Sequence, residues 1–468
     1  MKKLVCLVMA LCMVFALVAC GGKTEPQPDA ETTEAPKVDT PNTQEPQAEV
    51  TDAPQEPVST VKTELSGPVE ITFWHCISNA THLAILDQLI ADFNSGIGAE
   101  KGITVNAYAQ GSAKDLDAAV VGAIMSNTAP NVTLSAPSFT AGYLQAECVQ
   151  DLTDYINDPV VGLDDIDDFY ETFLAQGSSY AVEGMYSLPL HMKAEVLYYN
   201  TKVFEQYNLE APTTWDEMIE VCRAITAQTG SPAFGWDNPG SAFATMIQQR
   251  GAEFVNADGE VLLFNYKDTC NEVMKLWSDC IAEGIWRLAG EDNFFSGPFA
   301  NEIVPMYIGV STESSWINQK AVDGLEWAAA PIPQYDASNG YVFQEGHVIE
   351  ILNQNATEDQ ILASWLFIKY MTSYEANLKT ACGSGYMPIR KSVAESADFY
   401  NWCVENNNFA SLVATEEAES YFILPGFVTE NYTSAGLWSE LKNMMNNFLV
   451  NSVDAATALA QLESEFGK

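Results

Sequence analysis

Residues 69–134 set the tightest limit on what this chain can fold into. Val69-Glu-Ile-Thr-Phe-Trp74 alternates apolar and polar side chains with the period of a strand. Ser78, Asn79 or Thr81 can cap a following helix, in which Leu83, Leu86, Leu89, Ile90 and Phe93 recur at helical spacing. The cycle repeats with a strand over 103–108, a helix over 114–125 and a short strand over 131–134. Strands and helices alternating at this spacing close by right-handed crossovers onto a parallel sheet, so the expected class is α/β. Residues 216–227, 269–283 and 357–373 have the stripes of further amphipathic helices, and the tail over 436–466 reads as largely helical. No fixed-period repeat is visible, which disfavours solenoids and propellers.

The N-terminal region has a different character. Lys2 and Lys3 precede an uncharged apolar run over residues 4–19, about sixteen residues and short for spanning a ~30 Å hydrocarbon core. It ends in Leu17-Val-Ala-Cys20-Gly-Gly22, which resembles the bacterial lipobox. Residues 1–20 are therefore expected to be a lipoprotein signal peptide, with Cys20 the lipidated N-terminus of the mature chain and the remainder extracytoplasmic. Acyl chains contributing ~0.8 kcal/mol per buried CH₂ would anchor it firmly to the outer face of the cell membrane. From Gly21 to Pro68 the chain alternates Pro with Thr, Glu, Asp and Gln and has no Leu, Ile, Met or aromatic residue before Leu65. Such a segment buries too little apolar surface to offset its ordering entropy, so 21–68 is expected to be a disordered tether. Extended at ~3.1 Å per residue, it would reach on the order of 100 Å, enough to cross a Gram-positive wall.

Charge and cysteine usage narrow the partners. With 63 acidic against 21 basic residues the formal charge is −42, which argues against nucleic acid and against a basic membrane-binding patch. The 468 residues, 47% hydrophobic, suffice for two or three domain-sized units. Beyond the leader and Cys20, seven cysteines remain (Cys76, Cys148, Cys222, Cys270, Cys280, Cys382 and Cys403), an odd number without Cys-x-x-Cys spacing. They read mostly as buried thiols. With four histidines in the chain, metal ligation has little material, and neither metal nor cofactor is expected.

A series of short motifs runs along the body in order: Ile71-Thr-Phe-Trp-His75, Phe93-Asn94, Ala129-Pro-Asn-Val132, Leu152-x-x-Tyr155-Ile156, Tyr186-Ser-Leu-Pro189, Leu197-Tyr-Tyr-Asn-Thr-Lys202, Ala211-Pro-Thr-Thr-Trp-Asp-Glu217, Ala330-Pro-Ile-Pro333 and Gly385-Tyr-Met-Pro388. Over residues 69–468 this order resembles family 1 extracellular solute-binding proteins, the capture lipoproteins of ABC importers. The Phe-Trp-His opening is similar to the sugar and glycerol-3-phosphate binders of that group. The resemblance implies a two-lobed periplasmic-binding-protein-like fold, each lobe a mainly parallel sheet flanked by helices. It implies crossings near 189–197, 327–334 and 373–380. The expected lobes are 69–190 with 332–377 and 191–331 with 378–468. It also implies a monomer that closes over its ligand by a hinge motion and docks on ABC permease subunits.

A sugar offers flat C–H faces and rings of hydroxyls, so its site needs aromatic platforms with carboxylates, amides and hydroxyls around them. Trp74 and His75 at the end of the first strand, and Ser135 and Ser138 after the third, lie where open α/β sheets place ligands. Trp236 and Asp237 in a loop, and Ser311, Glu313 and Trp316 after an apolar strand ending near Ile308, are further candidates, as are His347 and Tyr386. Lys193 and Glu195 lie on an expected crossing. A phosphate ligand would want converging Arg forks or helix N-termini. The stretch 424–432, where glycerol-3-phosphate binders of the family place an Arg, has neither Arg nor Lys, which favours a neutral carbohydrate. Lys193, Arg250 and Arg390 keep a glycerol-3-phosphate or glycerophosphodiester ligand as the alternative. A glycoside hydrolase would need two carboxylates about 5–10 Å apart, but among 63 acidic residues a chance pair is no evidence. With no Gly-x-Ser-x-Gly, His-Glu-x-x-His or Walker-type motif, no catalytic residue is assigned.

Overall fold

The computed structural model describes residues 58–256, 259–336, 340–422, 426–429 and 431–467. The leader, Cys20 and the tether as far as Pro57 lie outside the described residues, as does part of the 424–432 stretch. Residues 58–68 are described, and they lie along the body. Val61 and Leu65 pack against the core, Lys62 pairs with Asp359 at 2.8 Å, and Ser59 hydrogen-bonds Asp158. Two apolar side chains and these polar ties offset the ordering entropy that the composition of the preceding residues cannot.

Nine strands form the sheet system: β1 (Val69–His75), β2 (Ile103–Ala109), β3 (Val132–Ser135), β4 (Leu188–Asn200), β5 (Phe234–Trp236), β6 (Met306–Val310), β7 (Trp327–Ala330), β8 (Val342–Ile351) and β9 (Tyr421–Phe422). Their order is β2-β1-β3-β8-β4-β6-β5, with β7 beside β4 and β9 beside β8. The ladders β1–β2, β1–β3 and β5–β6 are parallel, and every antiparallel pair involves β4 or β8. The parallel character expected from the sequence thus belongs to β1–β3 and to β5–β6, while β8 runs against β3, β4 runs against β6, and β9 lies parallel to β8.

Local sequence explains the elements. Asn79 caps the helix Ala80–Ser95 by accepting from the Thr81 and His82 amides, and Leu86, Leu89, Ile90 and Phe93 form its buried stripe. Asn94 then acts as a surrogate peptide: its amide donates to the Val105 carbonyl (3.0 Å) and accepts from the Val105 N–H (2.8 Å), fixing β2 to the helix end. Capping boxes start the helices Ala113–Met125 (Ser112/Asp115), Trp215–Thr229 (Thr214/Glu217) and Glu358–Met371 (Thr357/Gln360). The first half of the molecule packs Phe73 and Phe93 edge-on against Phe367, at 5.5 and 5.2 Å between ring centres. The second half is built on tryptophans, with Trp215 stacked on Trp236 at 5.5 Å and Trp277 edge-on to Trp286 at 5.3 Å. All seven cysteines of the body are free thiols.

β4 belongs to both halves. From Leu188 to Ala194 it pairs with β8, and from Glu195 to Tyr199 it pairs with β6, with β7 on its other edge from Leu197. The chain passes between the halves in an unbroken strand that changes partner at Ala194–Glu195. Helix Tyr374–Ser384 is held to Ala80–Ser95 by the Lys379–Asp92 ion pair (2.8 Å), and past Gly385 (φ +77°) the Met387 N–H bonds the Met192 carbonyl of β4 (2.8 Å).

Arg390 closes this region from below. It is 1% exposed, and its guanidinium lies 4.3 Å over the Phe169 ring. Nε donates to the Thr372 carbonyl (2.6 Å) and Nη1 to Asp165 (2.7 Å) and Asp168 (3.1 Å). Asp165 is well exposed, so that ion pair contributes little; the buried carbonyl and the packed stem matter more. Arg390→Ala is expected to cost about 2–4 kcal/mol in urea unfolding without changing the secondary structure. A loss below about 0.5 kcal/mol would show that the knot is not structural.

Candidate functional site

The C-terminal ends of β1 and β3 and residues 343–347 of β8 line a cavity of about 370 Å³, within the range of small-molecule sites. One wall is Ser135, Ala136 and Ser138, immediately after β3, with Cys76 from the end of β1. Part of the lining is aromatic: Phe343 of β8 stacks on Trp438 of the helix Ser434–Leu449, with ring centres 4.6 Å apart and planes at 19°. The floor is Lys193 of β4 with Glu345 and His347 of β8, and the Gln176 and Gln344 amides also line the space.

Alternation along a strand puts Lys193 and Glu345, directly paired in the ladder, on one face. Their charged ends meet at 3.0 Å, with side chains 27% and 34% exposed. Glu345 raises the Lys193 pKa and Lys193 lowers that of Glu345, so both stay charged and largely compensate each other. Behind Ser135, the Thr140 hydroxyl lies 2.7 Å from Glu350 Oε2 and 2.9 Å from Ser135 Oγ. Burial pushes the Glu350 carboxyl up to about 8, only partly opposed by these hydroxyls. A neutral acid therefore backs the serine wall near neutrality.

A second polar group occupies the ends of β5 and β6 in the other half. Trp236 Nε1 (3.0 Å) and Ser241 Oγ (2.5 Å) donate to Glu195 Oε1, and burial raises Glu195 to about 8. Asp237 accepts the Phe295 N–H (2.6 Å), and Glu313 accepts the Tyr307 hydroxyl (2.8 Å). Burial raises both carboxyl pKa values, and their proximity lets the pair hold a proton between them. Gly309 of β6 is required here: a Cβ would lie 2.8 Å from Asp237 Oδ2 and 3.0 Å from Glu313 Oε2.

The candidates thus separate into groups. Ser135, Ser138 and His347 line the cavity; His75 and Tyr386 are buried around its floor; Trp236, Asp237, Ser311 and Glu313 form the second group. Trp74 is half-buried within β1, and Trp316 is 50% exposed on the helix Ser314–Lys320. Phe343 and Trp438 were missed by sequence reasoning. The available signal was a Trp one position off the buried Leu437/Leu441/Met444 stripe of its helix. Of the cations considered for phosphate, Arg390 is committed to Asp165, Asp168 and the Thr372 carbonyl. Arg250 pairs with Glu272 and lies 4.5 Å over the Tyr335 ring. Lys193 reaches the cavity, as does Lys114.

This architecture, two α/β halves sharing a strand with polar groups at the strand ends of each, defines a two-lobed solute-binding protein. The model of the bacterial extracellular solute-binding proteins matches residues 88–403, and the chain belongs to that family, whose members act outside the cytoplasm. The multiple sugar-binding protein of Streptococcus mutans is 26% identical over 211 residues, 42% of this chain and 49% of that protein. Among solved structures, the cyclic alpha-maltosyl-1,6-maltose binding protein of Arthrobacter globiformis superposes with TM-score 0.71 at 19% identity, covering 86% of this chain and 98% of the other. UgpB of Mycobacterium tuberculosis, in complex with glycerophosphocholine, gives 0.70 at 18% identity, with 86% and 98% covered. At these identities the structures establish the fold.

The neutral state of Glu350 is testable. A carboxyl raised from 4.5 to about 8 contributes stability that is present below its unfolded pKa and lost as pH rises through the folded value. Tm should therefore fall between about pH 4.5 and 8, and Glu350→Gln should remove about 2 °C or more of that fall. An identical slope in the variant would place a charged Glu350 behind Ser135.

Proposed function

We propose that this protein captures a neutral sugar or oligosaccharide outside the cell, encloses it between two lobes and passes it chemically unchanged to the permease of an ABC importer. The observation carrying this reading is the cavity itself. A stacked Phe343–Trp438 pair lines it together with Ser135, Ser138, Gln176 and Gln344. Aromatic faces suit the C–H faces of a pyranose or furanose ring, and hydroxyls and amides suit its OH groups. The S. mutans and A. globiformis proteins, both named as binders of sugars, support the same class. The lobes are drawn about β4 and β8, with a last crossing at Gly385, and the molecule acts as a monomer tethered through a lipid on Cys20. Ligand touches one lobe first, and closure follows because the second lobe's contacts exist only in the bound state.

A glycerophosphodiester is the second reading, favoured by Lys193 and Lys114 at the cavity and by the likeness to the glycerophosphocholine-bound UgpB. It is the weaker one, since Lys193 is already neutralised by Glu345 and the two arginines are engaged elsewhere.

Calorimetric titration with arabino- and malto-oligosaccharides and with glycerophosphocholine discriminates the two. A sugar should bind, X-ray scattering should show compaction on saturation, and Trp438→Ala should weaken binding by about tenfold or more, while Arg250→Ala leaves it within about twofold. Binding of glycerophosphocholine alone would overturn the carbohydrate assignment, and turnover of the oligosaccharide would overturn the non-enzymatic one.

A further inference from the structure

The chain contains four histidines, and the fold brings all of them to one place. His191 of β4 and His347 of β8 are directly opposed in the ladder, with ring centres 6.2 Å apart. Tyr386 stacks on His191 at 4.8 Å and 17°, and its ring is 5.2 Å from His82 of the helix Ala80–Ser95. His75, at the end of β1, is buried beside them. The cluster therefore spans β1, the first helix, the β4–β8 ladder just before β4 changes partner, and the segment where the chain returns to β4 after Gly385.

The cluster is arranged for neutral imidazoles. Nδ1 of both His191 and His347 is buried with no hydrogen-bond partner. The His347 Nε2 lies 3.4 Å from the Cys76 thiol, which supplies no negative charge because burial raises the thiol's pKa to about 11. Of the carboxylates facing the group, Glu345 is occupied by Lys193 and Asp87 acts on His75. The Lys193 ammonium itself opposes a charge on His347. His82 has only the Ser384 carbonyl. A first proton on any ring would repel a second.

We propose that this imidazole cluster is a proton-operated latch beside the point where β4 passes from one lobe to the other: acidification charges it, loosens the His191–His347–Tyr386 packing, and lets the lobes part and release their guest. The release rests on the binding reading above, whereas the latch does not. The sign follows from burial. It holds the His347 pKa near 4 and that of His191 well below 6.5, so the closed packing is fully favoured above about pH 6.5. Its advantage is lost progressively as pH falls from there toward the depressed values. Exposed on opening, each ring regains its ordinary basicity and takes up a proton.

With so few histidines, imidazole NMR of the full soluble chain can follow each ring through a titration from about pH 8 to 4. His191 and His347 should titrate below about pH 6, each shifting the other's midpoint, with the Tyr386 ring signals moving in step. X-ray scattering of the sugar-free protein should show expansion over the same range. The Kd for arabinotriose or maltotriose should rise about tenfold or more between about pH 7.5 and 5, and His191→Gln and His347→Gln should each flatten that rise. Coupled low midpoints with acid expansion, but no sugar bound at any pH, would uphold the latch and sink the binding reading. Sugar binding with independent midpoints near 6.5, or a pH dependence unchanged in both variants, would overturn the latch.

Discussion

A single strand holds the two halves of this molecule in one hydrogen-bonded system. β4 gives the carbonyls and amides of Leu188 to Ala194 to β8 and those from Glu195 onward to β6. A strand satisfies its backbone through its neighbours, so any relative motion of the halves must be absorbed where those neighbours change. Alternation of side chains then decides what stands over that point. His191, Lys193 and Glu195 share one face of β4, and their ladder partners His347 and Glu345 project to the same side. The floor of the cavity is polar because the strand that joins the lobes carries its polar residues in register with those of β8.

The two sets of strand ends are chemically unequal. On the first half, Ser135, Ser138 and Thr140 present hydroxyls backed by Glu350; on the second, Asp237 and Glu313 present a carboxyl pair supported by Tyr307. A hydroxyl both donates and accepts, and a protonated carboxyl pair does the same, whereas ionised carboxylates only accept. Burial of the acids therefore widens the hydrogen-bonding roles open to both groups, and of these residues Ser135 and Ser138 are the ones that line the cavity. The aromatic stack arrives separately, on a helix near the C-terminus, so the complete cavity needs elements separated by some 360 residues of chain, from Cys76 to Trp438.

Much of this was legible in the residue order. The first strand, its Asn79-capped helix, the second and third strands and the helices at 216–227, 269–283 and 357–373 all follow from periodicity and capping, because each is stabilised by side chains within a few residues. Ser135 and Ser138 were also legible, since strand ends of parallel sheets are marked by position, whereas His347, in the middle of β8, was a candidate only through the family resemblance. The partner exchange of β4 was legible only as a crossing implied by family resemblance, since a strand pairing on two sides looks like any other apolar run. Phe343 and Trp438 were not legible at all. Each is an ordinary aromatic in its own element, and only the ladder and the placement of the helix Ser434–Leu449 stack them. Trp236 misled in the other direction: an aromatic beside Asp237 looked like a platform, but its indole is buried on Trp215 and spent on Glu195.

The electrostatics of the interior run against those of the chain as a whole. A formal charge of −42 would make any cleft in this protein a trap for cations if its acids were ionised. Burial holds several of them back from ionising: Glu350 and Glu195 are raised to about 8, Asp237 and Glu313 are raised by burial and by each other, and Asp117, which lines the cavity, is raised by burial as well. Lys193 and Glu345 cancel at 3.0 Å, and His191 and His347 are kept neutral. An ionic guest would have to impose its own charge on groups whose burial resists it, at a cost that grows with every group converted. A guest without net charge meets donors and acceptors that need no change of protonation, and that asymmetry, rather than any one contact, is the physical ground on which the proposed preference for hydroxyls over ions rests.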